Sequence, residues 1–195
     1  TPPGFGMGSG LPYLGNGELI GGEHVSEAQL QLLIGMGCDP ITGQSLGEAY
    51  RRYPTLTERI ERRVQALDPN MGPVTHARQV TAIEAEEVAR GTRRAVAGFD
   101  FTFSAPKSVS VLWGVADAGT QSLIAEAHHQ AVAEVLAFLE REIATTRVGA
   151  AGPDGAIVHA DVAGVLATGF DHYDSRAGDP QLHTHVVISN KVQTV

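Results

Sequence analysis

Apolar and polar positions along the chain change period near residue 97. Before that point they recur at helical spacing. Ser26-Glu27-Ala28-Gln29 has the capping-box pattern and opens a short apolar helix to about Met36. Thr55-Leu56-Thr57-Glu58 repeats the pattern, with Ile60, Val64 and Leu67 at helical spacing behind it. Residues 79–95, rich in Ala, Glu and Arg, read as a helix with a solvated face. Breaks are expected around Asp39-Pro40 to Gly43 and Asp68-Pro69 to Pro73. Alternation then takes over. Phe99, Phe101 and Phe103 alternate with Asp100, Thr102 and Ser104, which predicts a half-buried strand ended by Pro106. Lys107 to Val115 reads as a helix start. Thr120 to about Thr146 reads as a long amphipathic helix with Leu123, Ala127, Ala131, Val135 and Phe138 on one side. A turn at Pro153-Asp154-Gly155 precedes two predicted strands, 156–170 and 182–192, joined by a polar loop at 174–181. The opening residues 1–24 hold eight glycines and read as a loop. Helices followed by tightly connected strands predict an α+β fold: a central antiparallel sheet flanked by helices.

Length and composition narrow the class. A chain of 195 residues with 43% hydrophobic residues spread along it can bury a core, which excludes a disordered chain. One domain over 1–195 is expected: a Gly-rich opening (1–24), a helical part (26–95) and a sheet part (97–195). Apolar runs are all broken well short of the ~18 residues of a membrane span. Thr1-Pro2-Pro3-Gly4 has neither a basic start nor an apolar stretch, so no secretory signal opens the sequence. The lone cysteine, Cys38, excludes an internal disulfide and fits a reducing compartment, which makes the cytoplasm the expected location. The net charge of −8 argues against a general nucleic-acid binder. Acidic residues gather in 18–87 and 126–142, whereas Lys107, Arg147, Arg176 and Lys191 lie near the motifs below, and a bound divalent cation would add positive charge there.

Candidate chemistry centres on His172 and on Gln181-Leu182-His183-Thr184-His185. Residues two apart in a strand share a face, so His183 and His185 project together as half of a metal site. His172 ends the preceding predicted strand and supplies a third nitrogen if the two strands pair. Three neutral imidazoles leave coordination positions open, as catalytic metals require. An H-x-H pair by itself is as easily two ordinary histidines on a partly exposed strand. Asp100 stands on the polar face of the Phe-rich strand, where a carboxylate is unusual. It can take the second N–H of a metal-bound histidine or accept a proton from an attacking hydroxyl. Alternatively it is a solvated or Lys-paired aspartate.

The run Phe99-Asp100-Phe101-Thr102-Phe103-Ser104-Ala105-Pro106-Lys107-Ser108-Val109-Ser110 resembles the signature of TrwC-type conjugative relaxases, members of the HUH endonucleases. Phe170-Asp171-His172, Asp174-Ser175-Arg176 and Asp179-Pro180-Gln181-Leu182-His183-Thr184-His185-Val186-Val187 resemble the metal motif of the same family, in the same order. The resemblance implies a palm-like relaxase domain with single-stranded DNA in a cleft. It places one divalent ion (Mg, Mn, Zn, Ni or Co) on His172, His183 and His185, and the family's aspartate on Asp100. It also implies that the metal polarises a scissile phosphate while a tyrosine attacks, leaving a 5′-phosphotyrosyl DNA and a free 3′-OH. Lys107 and Arg176 are candidate phosphate contacts. The implied partners are single-stranded DNA at an origin of transfer of a plasmid or other conjugative element in a bacterium, and a fused helicase domain or relaxosome proteins. The chain itself contains no G-x-x-x-x-G-K-S/T segment.

No tyrosine of the chain matches the family's nucleophile, which precedes the Gly-rich opening. Tyr13 lies just downstream of that position, Tyr50 and Tyr53 match no catalytic motif, and Tyr173 is expected to point away from His172. The nucleophile is therefore expected upstream of Thr1, with the relaxase domain incomplete at both ends. Three rival readings stand beside this one. A metal- and DNA-binding remnant would grip without cleaving, and a zinc hydrolase of small substrates would use the same histidines to activate water. A penicillin-binding enzyme would use Ser104-Ala105-Pro106-Lys107 as S-x-x-K, but its S-D-N and K-T-G partners are missing.

Overall fold

A computed structural model describes residues 4–7, 24–148 and 158–194. The chain divides into two compact units, one formed by Thr1–Ala49 with Ala97–Val195 and the other by Tyr50–Val96.

The first unit is an antiparallel sheet backed by helices, the α+β arrangement that the periodicity predicts. Its strands are β1 (Gly4–Met7), β2 (His24–Val25), β3 (Gly98–Ser104), β4 (Thr145–Val148), β5 (Val158–Asp174) and β6 (Pro180–Thr194). They lie in the order β2-β1-β5-β6-β3, with β4 paired to the start of β5. The two central strands are 17 and 15 residues long, each a few residues longer than the hydrophobic pattern suggests. Register shifts fall between Val162 and Gly164, Val165 and Ala167, and His172 and Asp174. Such bulges bend and twist a long strand, so the sheet curls. The loop expected over 1–24 is overturned at its two ends, where Gly4–Met7 and His24–Val25 pair with each other and Gly4–Met7 also pairs with β5. Pairing with a long strand supplied the order that glycine-rich sequence alone does not. The expected turn at 153–155 lies outside the described residues.

Helices cover one face of this sheet. α4 (Lys107–Val115) follows β3 directly, and α5 (Ala118–Glu142) is capped by Asp117, whose side chain accepts from the Thr120 amide. Val132 and Leu136 of α5 pack on Val165, Ala167, Val186 and Ile188, with Phe103 at the margin. This is a different face of α5 from the one expected. Leu123 is 69% exposed, and Ala127, Ala131, Val135 and Phe138 are exposed as well. An Ala-rich helix carries apolar residues on more than one side. The sheet selected the i, i+4 row His128-Val132-Leu136, because its histidine finds polar partners beneath it. The helix also stops at Glu142, since Thr145–Val148 pairs with β5. On the strand β3, Phe99 and Phe101 remain exposed; only Phe103 reaches the core. Gly98 opens β3 where a Cβ would lie 2.5 Å from the Ile188 carbonyl oxygen. On the other face of the sheet, α1 (Glu27–Leu30) runs into a π-helical stretch, Gln31–Met36, which closes on Gly37 at φ 66°. Leu33 from this stretch is buried against Leu166 of β5.

The second unit is a helical hairpin of α2 (Leu56–Gln65) and α3 (Pro73–Arg90). The Thr55/Glu58 capping box forms as the sequence predicts. α3 begins six residues earlier than the composition suggested, because Pro73 occupies the first turn, where its missing N–H costs nothing. It ends at Arg90, where Gly91 turns to φ 73°. Between the helices Glu87 is only 1% exposed. Arg63 donates to its Oε1 at 3.0 Å and Arg90 at 3.2 Å, while Arg59 Nε stands 2.9 Å from Oε2 at an angle outside hydrogen-bond geometry. A buried carboxylate is tolerated only when so paired. No helix among the described residues is long and apolar enough to cross a membrane.

Two outcomes test this packing. Leu136→Ala is expected to destabilise the protein by about 2–5 kcal/mol, while Val135→Ala changes stability by about 0.5 kcal/mol or less, read by urea denaturation. Equal effects would mean that α5 buries another face. The Glu87 carboxyl is held below its ordinary value chiefly by the Arg63 hydrogen bond, against the effect of burial. A depressed carboxyl stabilises the fold above its unfolded pKa, and that contribution disappears as pH falls through the folded value. Circular dichroism should therefore show the wild type losing helix on acidification below about pH 4.5, the unperturbed Glu value. Glu87→Gln should already be less stable at pH 7 and respond less to acid.

Candidate metal centre

β5 and β6 pair so that His172 lies directly opposite His183, and Phe170 opposite His185. Alternation puts His172, His183 and His185 on the face of the sheet opposite α5. Their ring centres form a nearly equilateral triangle with sides of 5.1, 5.2 and 5.3 Å. Three imidazoles bound tetrahedrally to one cation at about 2.0–2.1 Å hold their ring centres about 5 Å apart. Among the described residues no three His, Cys, Asp or Glu side chains are arranged to hold a cation as they stand. Spacing and orientation thus disagree. The spacing carries more weight, because the backbone register fixes it, whereas ring orientation changes by rotation about side-chain torsions.

The hydrogen bonds fix the tautomers of two rings. A carboxylate and a carbonyl only accept, so a ring nitrogen facing one must carry the proton. His185 Nδ1 donates to Asp100, 3.0 Å from Oδ1 and 3.1 Å from Oδ2, and lies 3.3 Å from Thr102 Oγ1. Thr102 pairs directly with His185 across β3 and β6, which brings Asp100 to the same face. His183 Nδ1 donates to the Gln181 carbonyl at 2.8 Å. Both rings therefore keep a free lone pair on Nε2, the arrangement in which an outer carboxylate or carbonyl orients a metal-binding histidine. His172 is held below the usual histidine pKa, first by burial and then by the two neighbouring imidazoles. Crowding and burial alike favour its neutral form.

The other predicted residues are placed as follows. Lys107 Nζ donates to Asp179 and, at 2.8 Å, to the Pro180 carbonyl, fastening the start of α4 to the β5–β6 turn. This bond, followed by one from Ser175 Oγ, holds the Asp179 carboxyl below its ordinary pKa. Lys107 makes no hydrogen bond to Ser104 among the described residues, so the S-x-x-K pairing is not assembled. Arg176 is exposed on the same turn. Tyr173 stacks on Trp113 of α4, with ring centres 5.0 Å apart and planes 9° from parallel. Tyr50 and Tyr53 belong to the second unit, and Tyr13 lies outside the described residues.

Beneath the histidines, on the α5 side, lies a polar network that the sequence reading missed. Asp171 and Thr184 are register partners on β5 and β6. Thr184 Oγ1 donates to Asp171 Oδ1 at 2.7 Å, and His129 Nε2 donates to Asp171 Oδ2 at 2.8 Å. With its one proton committed to Asp171, Thr184 Oγ1 accepts from His128 Nε2 at 3.0 Å. Burial acts to raise the Asp171 carboxyl, but the bonds from His129 and Thr184 outweigh it and leave the pKa below the usual range. The Asp171 bond raises His129, while burial, then His129 itself, lowers His128. The adjacent pair His128-His129 in the middle of an Ala-rich helix was the one available signal. Asp171 precedes His172, and Thr184 separates His183 from His185, so this network clamps the two histidine-bearing strands from behind.

A curled antiparallel sheet with α4 and α5 on one face and a histidine triangle on the other has the α+β architecture of solved TrwC relaxases. The sequence model of the TrwC relaxase family matches residues 1–195. The chain belongs to that family. It is 40% identical over 103 residues to the multifunctional conjugation protein TraI of Escherichia coli, covering 53% of this chain and 6% of that protein. Among solved structures it is similar to the metal-free conjugative relaxase TrwC in complex with oriT DNA, at 28% identity and TM-score 0.55, covering 97% of this chain and 49% of that one. The metal-bound TrwC–oriT DNA complex matches at 26% identity and TM-score 0.57, covering 96% and 47%. The chain thus spans about half the length of these solved relatives and a small part of the curated one.

If Asp171 clamps the strands, Asp171→Ala leaves Thr184 Oγ1 and His129 without their acceptor. The expected loss is about 1–3 kcal/mol in denaturant unfolding, with the mutant still folded. No change in stability would mean that water replaces the carboxylate without cost.

Proposed function

We propose that this chain carries the metal-binding part of a conjugative relaxase, one that nicks single-stranded DNA at an origin of transfer in the bacterial cytoplasm. The observation that carries the reading is the histidine triangle, with the Nδ1 protons of His183 and His185 tied to Gln181 and Asp100. His172, His183 and His185 would hold one divalent ion, whose identity three imidazoles leave open. When bound, that ion would polarise the scissile phosphate and neutralise its developing charge. Asp100 keeps His185 in the tautomer with Nε2 free and holds its ring against the sheet. On the resemblance, the nucleophile is a tyrosine hydroxyl that attacks phosphorus, displaces the 3′-oxygen and stays joined to the 5′-phosphate. Tyr173 is engaged with Trp113, and neither Tyr50 nor Tyr53 matches a catalytic motif of the family. On the resemblance, the nucleophilic tyrosine precedes the Gly-rich opening, and this reading adopts that position. Arg176, exposed beside the histidine strands, is the better candidate for a phosphate contact; Lys107 is already bound to Asp179 and Pro180. Support also comes from relatives solved with oriT DNA, one of them metal-bound and another copper-bound.

Cobalt titration followed by visible absorption tests the metal. The wild-type chain should take up one ion, and His183→Ala should lose it. Asp100→Asn should bind roughly 10–100-fold more weakly, as removal of a histidine's outer partner typically does. Stoichiometry well below one for the folded wild type would defeat the reading. A version extended upstream should form a covalent adduct with origin oligonucleotide, whereas the present chain should not. An adduct on Tyr13, Tyr50, Tyr53 or Tyr173 would contradict the assigned position of the nucleophile.

A further inference from the structure

The excess negative charge of this protein is unevenly placed. Nine of its fourteen Lys and Arg residues fall between residues 50 and 96, against six Asp and Glu, so this unit carries about +3 while the remainder carries −11. The sequence reading had placed most of this segment among the acidic stretches. All nine are arginines. Arg59, Arg63 and Arg90 converge on Glu87, and Arg63 also reaches Glu86 at 2.7 Å, so three guanidinium groups share two carboxylates. Glu87 is buried, while the Arg90 side chain is 70% exposed. Surplus positive charge therefore faces solvent over a fixed, buried negative one.

A cleft of about 440 Å³ opens in this unit, lined by Tyr53, Arg59, Arg90 and Arg93 together with Pro54 and Gly91. No acidic side chain lines it. Arg93 makes no ion pair among the described residues. Arg51 stands 5.4 Å above the centre of the Tyr53 ring and adds a further cation beside the aromatic. A neighbouring cleft of about 460 Å³ differs: Glu58 and Glu61 line it beside Arg52 and Arg62, and they would repel an anion. Arginines beside an aromatic ring match a ligand that offers both phosphates and flat π faces. An acidic peptide or an anionic membrane supplies the charge without the bases.

We propose that the Tyr53/Arg59/Arg90/Arg93 cleft is a second nucleic-acid contact, which grips the phosphate backbone of a single strand and stacks one base on Tyr53. None of its residues belongs to the histidine site. It therefore binds without metal and without any particular sequence, and it stands or falls separately from the nicking chemistry.

The test uses the full 195-residue chain in EDTA and fluorescein-labelled (dT)20, with anisotropy read between 50 and 200 mM NaCl. Each phosphate contact to a single strand contributes about 0.7 to the slope of log affinity against log salt. Arg93→Gln should weaken binding severalfold and lower that slope by about 0.7. Tyr53→Ala should weaken it roughly tenfold with the slope kept, because stacking releases no counterion. Arg141→Gln, on α5, should bind as wild type. Photo-crosslinking with 4-thiothymidine in the oligonucleotide reads the same site without mutation, so it decides the matter even if Tyr53→Ala unfolds. Adducts in 51–59 or 87–94 support the cleft. Adducts only outside these two segments, unchanged affinity in both cleft variants, or Arg93-dependent binding to phosphatidylserine vesicles with no binding to (dT)20 would each overturn it.

Discussion

The register between β5 and β6 is the constraint from which the rest of the molecule follows. Side chains alternate across a strand, so sliding β6 by one residue would carry His183 and His185 to the helix face and bring Leu182, Thr184 and Val186 out to solvent. That slip is opposed from both sides. Leu182, Thr184 and Val186 are almost fully buried, and Val186 and Ile188 meet Val132 and Leu136 of α5. Thr184 is further locked to Asp171 across the strand pair, with His128 and His129 holding that bond from the α5 side. Burial of each aliphatic side chain contributes about 1.5–3 kcal/mol, which makes the register costly to change. The open face inherits its order from this buried one. It needs no hydrophobic packing of its own around the histidines, and so it is free to carry polar groups.

The polar groups on the two faces do different jobs. Beneath the sheet, Asp171 is largely enclosed and each of its oxygens accepts a hydrogen bond, which is how a carboxylate away from water is normally tolerated. Above it, Asp100 is more exposed and spends itself on one ring, His185. A carboxylate in that position sets a tautomer and an orientation at little cost in stability, because solvent still reaches it. The bulge between His172 and Asp174 falls where β5 leaves the ladder, so the strand can bend away just past its histidine. Lys107 and Asp179 then tie the following turn to the helix that succeeds β3. The signature around Asp100 and the motif around His183 are thus joined by contacts as well as by order in the chain.

The helical unit shows the same economy on a smaller scale. Two helices with Ile83 as their one buried aliphatic side chain have little core to share, and a buried Glu87 between three arginines takes part of its place. An ion network of this kind fixes a geometry more than it adds stability. It also collects cations in a protein that is acidic overall. Net charge therefore misdescribes this molecule, because an average over the chain conceals two units of opposite sign.

Much of this was legible in the sequence because local chemistry decides it. The capping boxes at Ser26 and Thr55, the extended form of Phe99 to Ser104, and the spacing of His183 and His185 each act within a few residues and have their expected form, whereas the expected burial of Phe99 and Phe101 is not met. The grouping of His172 with the other two could be stated as a condition on strand pairing, and the pairing meets it. Other features depended on contacts between distant segments. Gly4–Met7 became a strand because β5 offered it an edge, and Thr145–Val148 left the helical pattern for the same reason. The buried side of α5 was chosen by the sheet from several apolar rows, and Asp171 met His129 only when that side was chosen. Hydrogen-bond partners 42 and 56 residues apart leave no period in the sequence, so only the folded chain could reveal them.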